Sequence, residues 1–440
     1  MNKKIICIVI VSMFLLINAS FIASSVNVKF LNSETKNADD DKKILSSSKT
    51  WIVDDEGDGD FVEIQDAIDN DALNDGDLIQ VYSGKYSFVD IREHHNEGLR
   101  IEGISKELGE GDDTGRPVTS IHMNNCHGNK ICNINLSYFC IRGCNNSEIY
   151  KNEICTRVDA VWLTDCHYNK ISSNEISYGY YTLSATYIEV AKSIGPTGFV
   201  LECSTHNEIS DNTFYDFGIL MDSSNNNTFK SNVIETTKTW GGENFDMDLS
   251  YDNKIIDNII NADIEMSYCG NNELRGNTVQ NDGGIWLFSS NNNTIVENTV
   301  KDSCYGITLL FACDSNLIYH NNIMNLGLVD PGASYAFDDW HTNTWYDSTL
   351  KQGNYYSCYE EWHRDKYGTD PAPSDDGITW DTPYLIPDGT EYNESDNSRD
   401  NYPLIKAHGK SRSKPTIFYP NILEKLQLIF PKLFQRLLKL

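Results

Sequence analysis

The sequence predicts an all-β parallel β-helix of about nine or more coils, with a short N-terminal capping helix and an irregular C-terminal cap. Two observations predict it. The first is a phrase, Asn-x-Ile-x-x-Asn-x-Ile, that recurs nine times between residues 129 and 323, cleanly in Asn169-Lys-Ile171-Ser-Ser-Asn174-Glu-Ile176 and Asn293-Thr-Ile295-Val-Glu-Asn298-Thr-Val300. Its first apolar residue stands at Ile131, Ile149, Ile171, Ile209, Phe229, Ile255, Leu274, Ile295 and Ile318. Short alternating apolar runs on a period of about twenty residues, with no helical pattern, mark a solenoid of strands. A single turn cannot bury its apolar face alone and stacks on the next.

The second observation is that other columns fall into line with that apolar residue, taken as position zero. Asn stands three residues after it in eight coils (Asn152 to Asn321) and two residues before it in eight of nine, Ser147 being the exception. Asparagine tolerates left-handed backbone at tight corners, and in register it forms amide ladders. Five residues before zero come only Cys and Ser: Cys126, Cys144, Cys166, Ser204, Ser224, Ser250, Cys269, Ser290 and Cys313. That column reads as small packing groups, with a disulfide or a metal as alternatives. Met221, Met247 and Met266 follow one another in an apolar column. Thioethers are soft copper ligands, but core packing is their commoner use, so copper is not expected.

Along the chain, residues 1–25 read as a signal peptide: Lys3 and Lys4 precede an apolar run from Ile5 to Ile17, and Ala23-Ser24-Ser25 offers a cleavage site. An uncleaved anchor is the alternative. Polar residues 26–49 read as a linker, and residues 50–110 as the N-terminal cap and first coils. Asp60 with Glu63 gives a helix start before Ile64, Ala67 and Ile68, covering the open end of the solenoid. The acidic stretch Asp54–Asp60 lacks EF-hand spacing and reads as a solvated turn rather than a calcium loop. Residues 111–325 carry the repeats and 326–405 the C-terminal cap.

The tail from 406 to 440 holds eight Lys/Arg against Glu424 alone. Ile422, Leu426, Ile429, Leu433, Leu437 and Leu440 form one stripe, so residues 415–440 suit either docking on the body or contact with a membrane surface. The whole chain carries a formal charge of −29, which disfavours nucleic acid and leaves cations, basic partners or neutral glycans. The expected location is secreted or cell-surface.

Three segments carry a family resemblance. They are Asp60-Phe-Val-Glu-Ile-Gln-Asp-Ala-Ile68 with Gly76-Asp-Leu-Ile-Gln-Val-Tyr-Ser-Gly-Lys-Tyr86, the Asn-x-Ile-x-x-Asn coils, and the closing pieces Gly353-Asn-Tyr-Tyr356, Asp381-Thr-Pro-Tyr384 and Asp400-Asn-Tyr-Pro-Leu404. Together they resemble the NosD-like, pectin-lyase-like right-handed parallel β-helix proteins, a class of carbohydrate-binding and sugar-hydrolase β-helices, and within it exported archaeal surface proteins. The resemblance implies a right-handed coil over residues 51–405. It leaves function open among glycan-active enzymes, a copper-maturation accessory and surface proteins, so the site must be argued from side chains. An altered closing loop, Pro373 to Trp380, weakens the class's calcium argument there.

On the strand before each Cys/Ser position, the outward residues stand seven and nine before zero. The first column reads Arg142, Thr164, Glu202, Asp222, Asp248, Ser267 and Phe288; the second reads Cys140, Trp162, Val200, Leu220, Asp246, Glu265 and Trp286. Like charges at rung spacing are costly unless a proton or cation is shared, which singles out Glu202, Asp222 and Asp248 as candidate catalytic carboxylates and as a candidate calcium site. Paired carboxylates suit glycoside hydrolysis. Calcium on them suits elimination from a uronate, with Lys192 as base. Trp162, Trp286, Phe288, Asp246, Glu265, Tyr187, Lys192 and Trp240 are the expected substrate contacts, the last three on insertions at Tyr178–Gly198 and Thr236–Asn244. A one-residue slip is expected near Leu309-Leu310, where it would turn outward residues inward. His94, His95, His122 and His127 show no ligand spacing. The sequence thus predicts an exported β-helix that binds, and in one reading cleaves, polysaccharide; a non-catalytic adhesion protein and a copper-maturation accessory are the rivals.

Overall fold

From Glu148 onward each coil lays down three strands, and the outward side chains of the third make the candidate site. The computed structural model describes residues 48–409 apart from 93–97, 105–115, 157–160, 179–196, 217, 236–243, 282, 304, 325, 327–334 and 389–397. In one coil the strands are Lys254–Ile256, Ile259–Ile260 and Ile264–Ser267. The first belongs to a 12-stranded sheet; the other two belong to columns that merge into one 20-stranded sheet. The merging is done by long strands such as Asn135–Arg142, which pairs with Glu153–Thr156 at one end and Val161–Thr164 at the other. Pairing between coils is parallel throughout.

The apolar columns close the interior. The position-zero residues from Ile131 to Ile318 are fully buried, as is the inward column Ile141, Leu163, Leu201, Met221, Met247, Met266, Leu287 and Leu309. Period-two alternation puts every second residue of these strands inside. Phe199, Phe214, Phe229 and Phe245 fill the middle coils edge to face, with ring centroids 5.1–6.0 Å apart, a favoured aromatic geometry.

The asparagines build ladders, but not at left-handed corners. Asn258 Oδ1 accepts the Asn232 backbone N–H at 2.9 Å and the Asn232 side-chain amide at 3.0 Å. Asn258 Nδ2 donates to Phe229 O at 3.1 Å and to Asn277 Oδ1 at 3.0 Å. The same pattern runs from Asn152 to Asn354, and a second ladder from Asn169 to Asn343. The left-handed positions fall one residue before each ladder position: Asn146 (before Ser147), Tyr168, His206, Asn226, Asp252, Asn271, Asn292 and Ser315 in one corner, and Lys151, Ser173, Asp211, Ser231, Asp257, Gly276, Glu297 and His320 in the other. Buried backbone polar groups need partners, and an amide that accepts from one coil and donates to another supplies them where the strands break.

The Cys/Ser column does similar work. Ser224 Oγ accepts the Ser204 N–H at 3.0 Å and donates to the Leu201 and Asp222 carbonyls. Cys313 Sγ takes the Ser290 N–H at 3.4 Å in the same way. A hydroxyl or thiol that both accepts and donates explains an alternation that excludes Ala. The ten described cysteines are free thiols, Cys126 and Cys144 lying 3.4 Å apart at sulfur.

Both ends are capped. A helix at Ile64–Ile68 buries Ile64, Ala67 and Ile68 as expected, but begins at Glu63 rather than Asp60. Asp60 instead accepts the Ile52 N–H at 2.9 Å, and Asp54 and Asp55 also bond backbone N–H groups in their turn. At the far end two buried aspartates terminate the ladders. Asp400 accepts the Asn354 N–H at 2.6 Å, and Asp338 accepts from Asn343 at 2.9 Å and from the Trp345 ring at 3.2 Å. A helix at Tyr359–Tyr367 ends on Gly368 in left-handed conformation, the usual C-terminal stop. Tyr359 stacks on Trp380 at 5.4 Å.

The slip expected near Leu309-Leu310 is present. Leu287 pairs with Leu309 and Phe288 with Leu310. One extra residue then enters the corner, where Phe311 and Ala312 both take positive φ.

Candidate functional site

Register places both outward columns as the sequence predicts. Trp162, Val200, Leu220, Asp246, Glu265 and Trp286 are successive partners, and beside them run Thr164, Glu202, Asp222, Asp248, Ser267 and Phe288. Trp162 is the most open of its column at 37% exposure, whereas Val200 is buried. Tyr187, Lys192 and Trp240 lie outside the described residues.

The carboxylates of these columns differ from one another in how they are satisfied. Glu202 accepts from Thr164 Oγ1 at 3.4 Å and Asp222 from Ser223 Oγ at 2.9 Å. Asp248 Oδ1 and Asp246 Oδ1 are both buried with no hydrogen-bond partner in the protein. Burial first, then the neighbouring Glu265 and Asp263 charges, push Asp246 up to about 7. Glu265 is raised by burial and Asp263, and Asp248 by burial and Asp222. A carboxylate without a donor in a partly dry site favours its neutral form. The pair Asp246–Glu265, on neighbouring rungs spaced about 4.8 Å, therefore holds a proton near neutral pH more readily than an ordinary carboxylate.

The surroundings hold the pair in place. Asn244 Nδ2 donates to Glu265 Oε1 at 2.7 Å. Asp263 Oδ1 accepts from the Gly284 N–H at 2.7 Å and from Trp286 Nε1 at 3.2 Å, which fixes the indole beside Glu265. Trp286 and Phe288 lie with planes 4° apart and centroids at 6.3 Å, and Phe288 continues to Phe311 at 6.1 Å. Phe311 is 66% exposed and Tyr268 59%. The result is a row of near-parallel aromatic rings that begins one rung beyond the acid pair. A shallow groove of about 350 Å³ runs past Asp246, Asp248, Glu265, Ser267 and Tyr268. A larger concavity of about 440 Å³ lies over the 12-stranded sheet, but Lys170, Lys230, Glu208 and Asp211 there are mixed charges, Lys170 pairing with Glu208 at 3.6 Å.

Sequence reasoning missed Asp263, Asn244, Tyr268, Tyr305 and Phe311. Tyr268 and Phe311 sit at left-handed corners, and an exposed aromatic there was the available signal. Tyr305 packs on Trp286 at 4.8 Å. Strung along a column, the Glu202, Asp222 and Asp248 carboxylates do not bring three oxygen atoms within 4.8 Å of one another. A calcium ion there would bridge neighbours in pairs.

Residues 184–361 match the family described as "Periplasmic copper-binding protein (NosD)". Over that segment, about two fifths of the chain, this parallel β-helix is similar to the NosD family. Three solved structures show a weak similarity to the chain. A surface adhesin of Streptococcus pneumoniae, PfbA, aligns with TM-score 0.37 and 11% identity over 61% of this chain and 89% of its own. The A-module of the Azotobacter vinelandii mannuronan C-5 epimerase AlgE4 aligns with TM-score 0.35 and 9% identity over 57% and 80%. ORF18 of Geobacillus virus E2 gives 0.35 and 12% over 73% and 60%. A search of curated proteins returns no significant match. The NosD-like description raises copper, and the methionine column does not fit it: Met221, Met247 and Met266 are buried in the core among Phe, Ile and Leu side chains. Among the described residues no helix is long and apolar enough to cross a membrane.

Proposed function

We propose that this protein is exported and binds polysaccharide across the outward face centred on Asp246, Glu265, Trp286 and Phe288. The observation that carries this reading is the Asp246–Glu265 pair, proton-holding near neutral pH, beside a row of near-parallel aromatic rings. Aromatic faces stack on sugar rings through the apolar C–H face, and the open groove lets a long chain lie across several rungs. An acidic chain of net charge −29 favours a neutral glycan over an anionic one.

The same pair is equipped for hydrolysis. Protonated Asp246 would donate its proton to the glycosidic oxygen as the leaving group departs, while the Glu265 carboxylate attacks the anomeric carbon; water then completes the turnover. Rung spacing of about 4.8 Å approaches the roughly 5–5.5 Å of retaining glycosidases. The Glu202–Asp222–Asp248 column then serves as a polar track for the chain rather than the proton donor. Binding without turnover is the adhesion reading, and it uses the same aromatics.

Migration in native gels containing single polysaccharides tests the binding claim. Wild type should be retarded by at least one neutral glycan, and the Trp286→Ala/Phe288→Ala protein should run as in an empty gel. Equal retardation of both proteins on every glycan would overturn the assignment of the face.

A further inference from the structure

We infer that the protein carries a divalent transition-metal site formed by Glu297, His320 and His408 near the C-terminal end of the β-helix, at the corner that follows the 12-stranded sheet rather than on the strands that bear the acid pair. A ring nitrogen from each histidine and a carboxylate oxygen of Glu297 lie within 4.8 Å of one another. Among the described residues this is the group of three ligating side chains that converges so closely.

The fold explains the convergence. Glu297 and His320 occupy the same left-handed corner on successive coils, with φ of 59° and 57°, and the Glu297 N–H donates to Tyr319 O at 3.4 Å. Their side chains therefore leave the corner one above the other. His408 arrives from the closing segment and is set there by Asn322, a buried residue. Asn322 Oδ1 accepts the His408 N–H at 2.6 Å, and its Nδ2 donates to His408 O at 3.0 Å. The two imidazoles lie parallel, 9° apart with centroids at 3.9 Å.

A second observation points to a ligand. His320 Nε2 meets Gln352 Oε1 at 2.8 Å. An amide oxygen only accepts, so Nε2 carries the hydrogen and Nδ1 keeps its lone pair. A metal-bound histidine is held in the same way, its second nitrogen donating to an oxygen of the outer shell. Glu297 Oε2 pairs with Arg275 at 3.3 Å, and a carboxylate has a second oxygen for an ion. Two imidazoles and one carboxylate suit copper(II), zinc or nickel, with copper(II) tightest, and disfavour calcium and magnesium, which want oxygen. Bonds of about 2.0–2.2 Å require the donors to close in, so the half-buried His408 ring must turn out of the stack on binding. His408 lies beyond the segment that matches the family, so the third ligand comes from this chain's own closing segment.

The test titrates the full chain with copper(II), zinc and cobalt(II) by calorimetry, with the cobalt visible spectrum and copper electron paramagnetic resonance as second readouts. The expected result is one equivalent bound, two-nitrogen coupling in the copper spectrum, and a rise in melting temperature with metal. His408→Ala and Glu297→Gln, at less buried positions, should each weaken binding at least tenfold and remove the thermal shift; His320→Gln should do the same. Absence of stoichiometric binding, or affinity unchanged in His408→Ala, would overturn the site. Metal binding that is insensitive to all three changes would place the ion elsewhere and overturn the site.

Discussion

Replacing Asn258 with Ala tests what holds the coils in register. Asn258 sits in mid-ladder, fully surrounded, and its amide makes four contacts: it accepts from the Asn232 N–H and side chain, and donates to Phe229 O and Asn277 Oδ1. Alanine removes the acceptor of one buried backbone N–H and the donor to one buried carbonyl. Each orphaned buried group costs about 1–3 kcal/mol, so the expected loss is about 2–6 kcal/mol, against a typical total of about 5–15 kcal/mol. Urea unfolding followed by far-ultraviolet dichroism reads the global loss. Amide exchange at Asn232 reads the local one, which matters because stacked repeats open unevenly. Asn258→Asp keeps an acceptor for the Asn232 N–H but turns a buried carboxylate oxygen onto the Phe229 and Asn277 acceptors, and should cost more than alanine at neutral pH. An Asn258→Ala protein within about 0.5 kcal/mol of wild type, with unchanged exchange at Asn232, would refute the reasoning and leave the asparagines as mere corner formers.

Other outcomes follow from the same geometry. Ser224→Ala leaves the Ser204 N–H without its 3.0 Å acceptor and should cost about 1–3 kcal/mol in the same unfolding assay, whereas Ser224→Cys should cost less because a thiol still accepts. Asp246 is raised from its ordinary 3.8 to about 7, so the folded state binds its proton more tightly than the unfolded chain does. Its contribution is full below about pH 4 and is lost as pH rises through about 7, a span of up to about 4 kcal/mol. Thermal melts of Asp246→Asn should accordingly match wild type at low pH and exceed it above pH 7. If the acid pair is catalytic, kcat/KM should fall above about pH 7 as Asp246 loses its proton.

The coil architecture was legible because position zero, the two Asn columns and the Cys/Ser column repeat in sequence, and each column has one job. What the Asn and Cys/Ser columns do was only half legible. Composition pointed to corners and packing, yet the left-handed corners belong to the preceding residue, and the Cys/Ser side chains carry backbone hydrogen bonds. The outward columns came out rung by rung because register in a parallel stack is set by the apolar face. Ranking within them did not, since Asp246 differs from Asp222 only in burial and in the donors that reach it. Asp263, eleven residues before Leu274, falls outside both outward columns, whereas Phe311, seven before Ile318, is on the first column by count but is moved into the corner by the extra residue in its coil. The Glu297–His320 stack was readable as one corner column. His408 was not, because only the Asn322 clamp brings it back from 88 residues downstream of His320.

The most direct test of the polysaccharide reading is release of reducing ends from a panel of neutral and acidic polysaccharides by wild type, Asp246→Asn and Glu265→Gln, with calcium and with chelator. The account predicts release from at least one neutral glycan by wild type, unaffected by chelator, and at least a hundredfold loss in both variants while the glycan is still bound. Release that survives in Asp246→Asn, or that vanishes in Asp222→Asn instead, would contradict it.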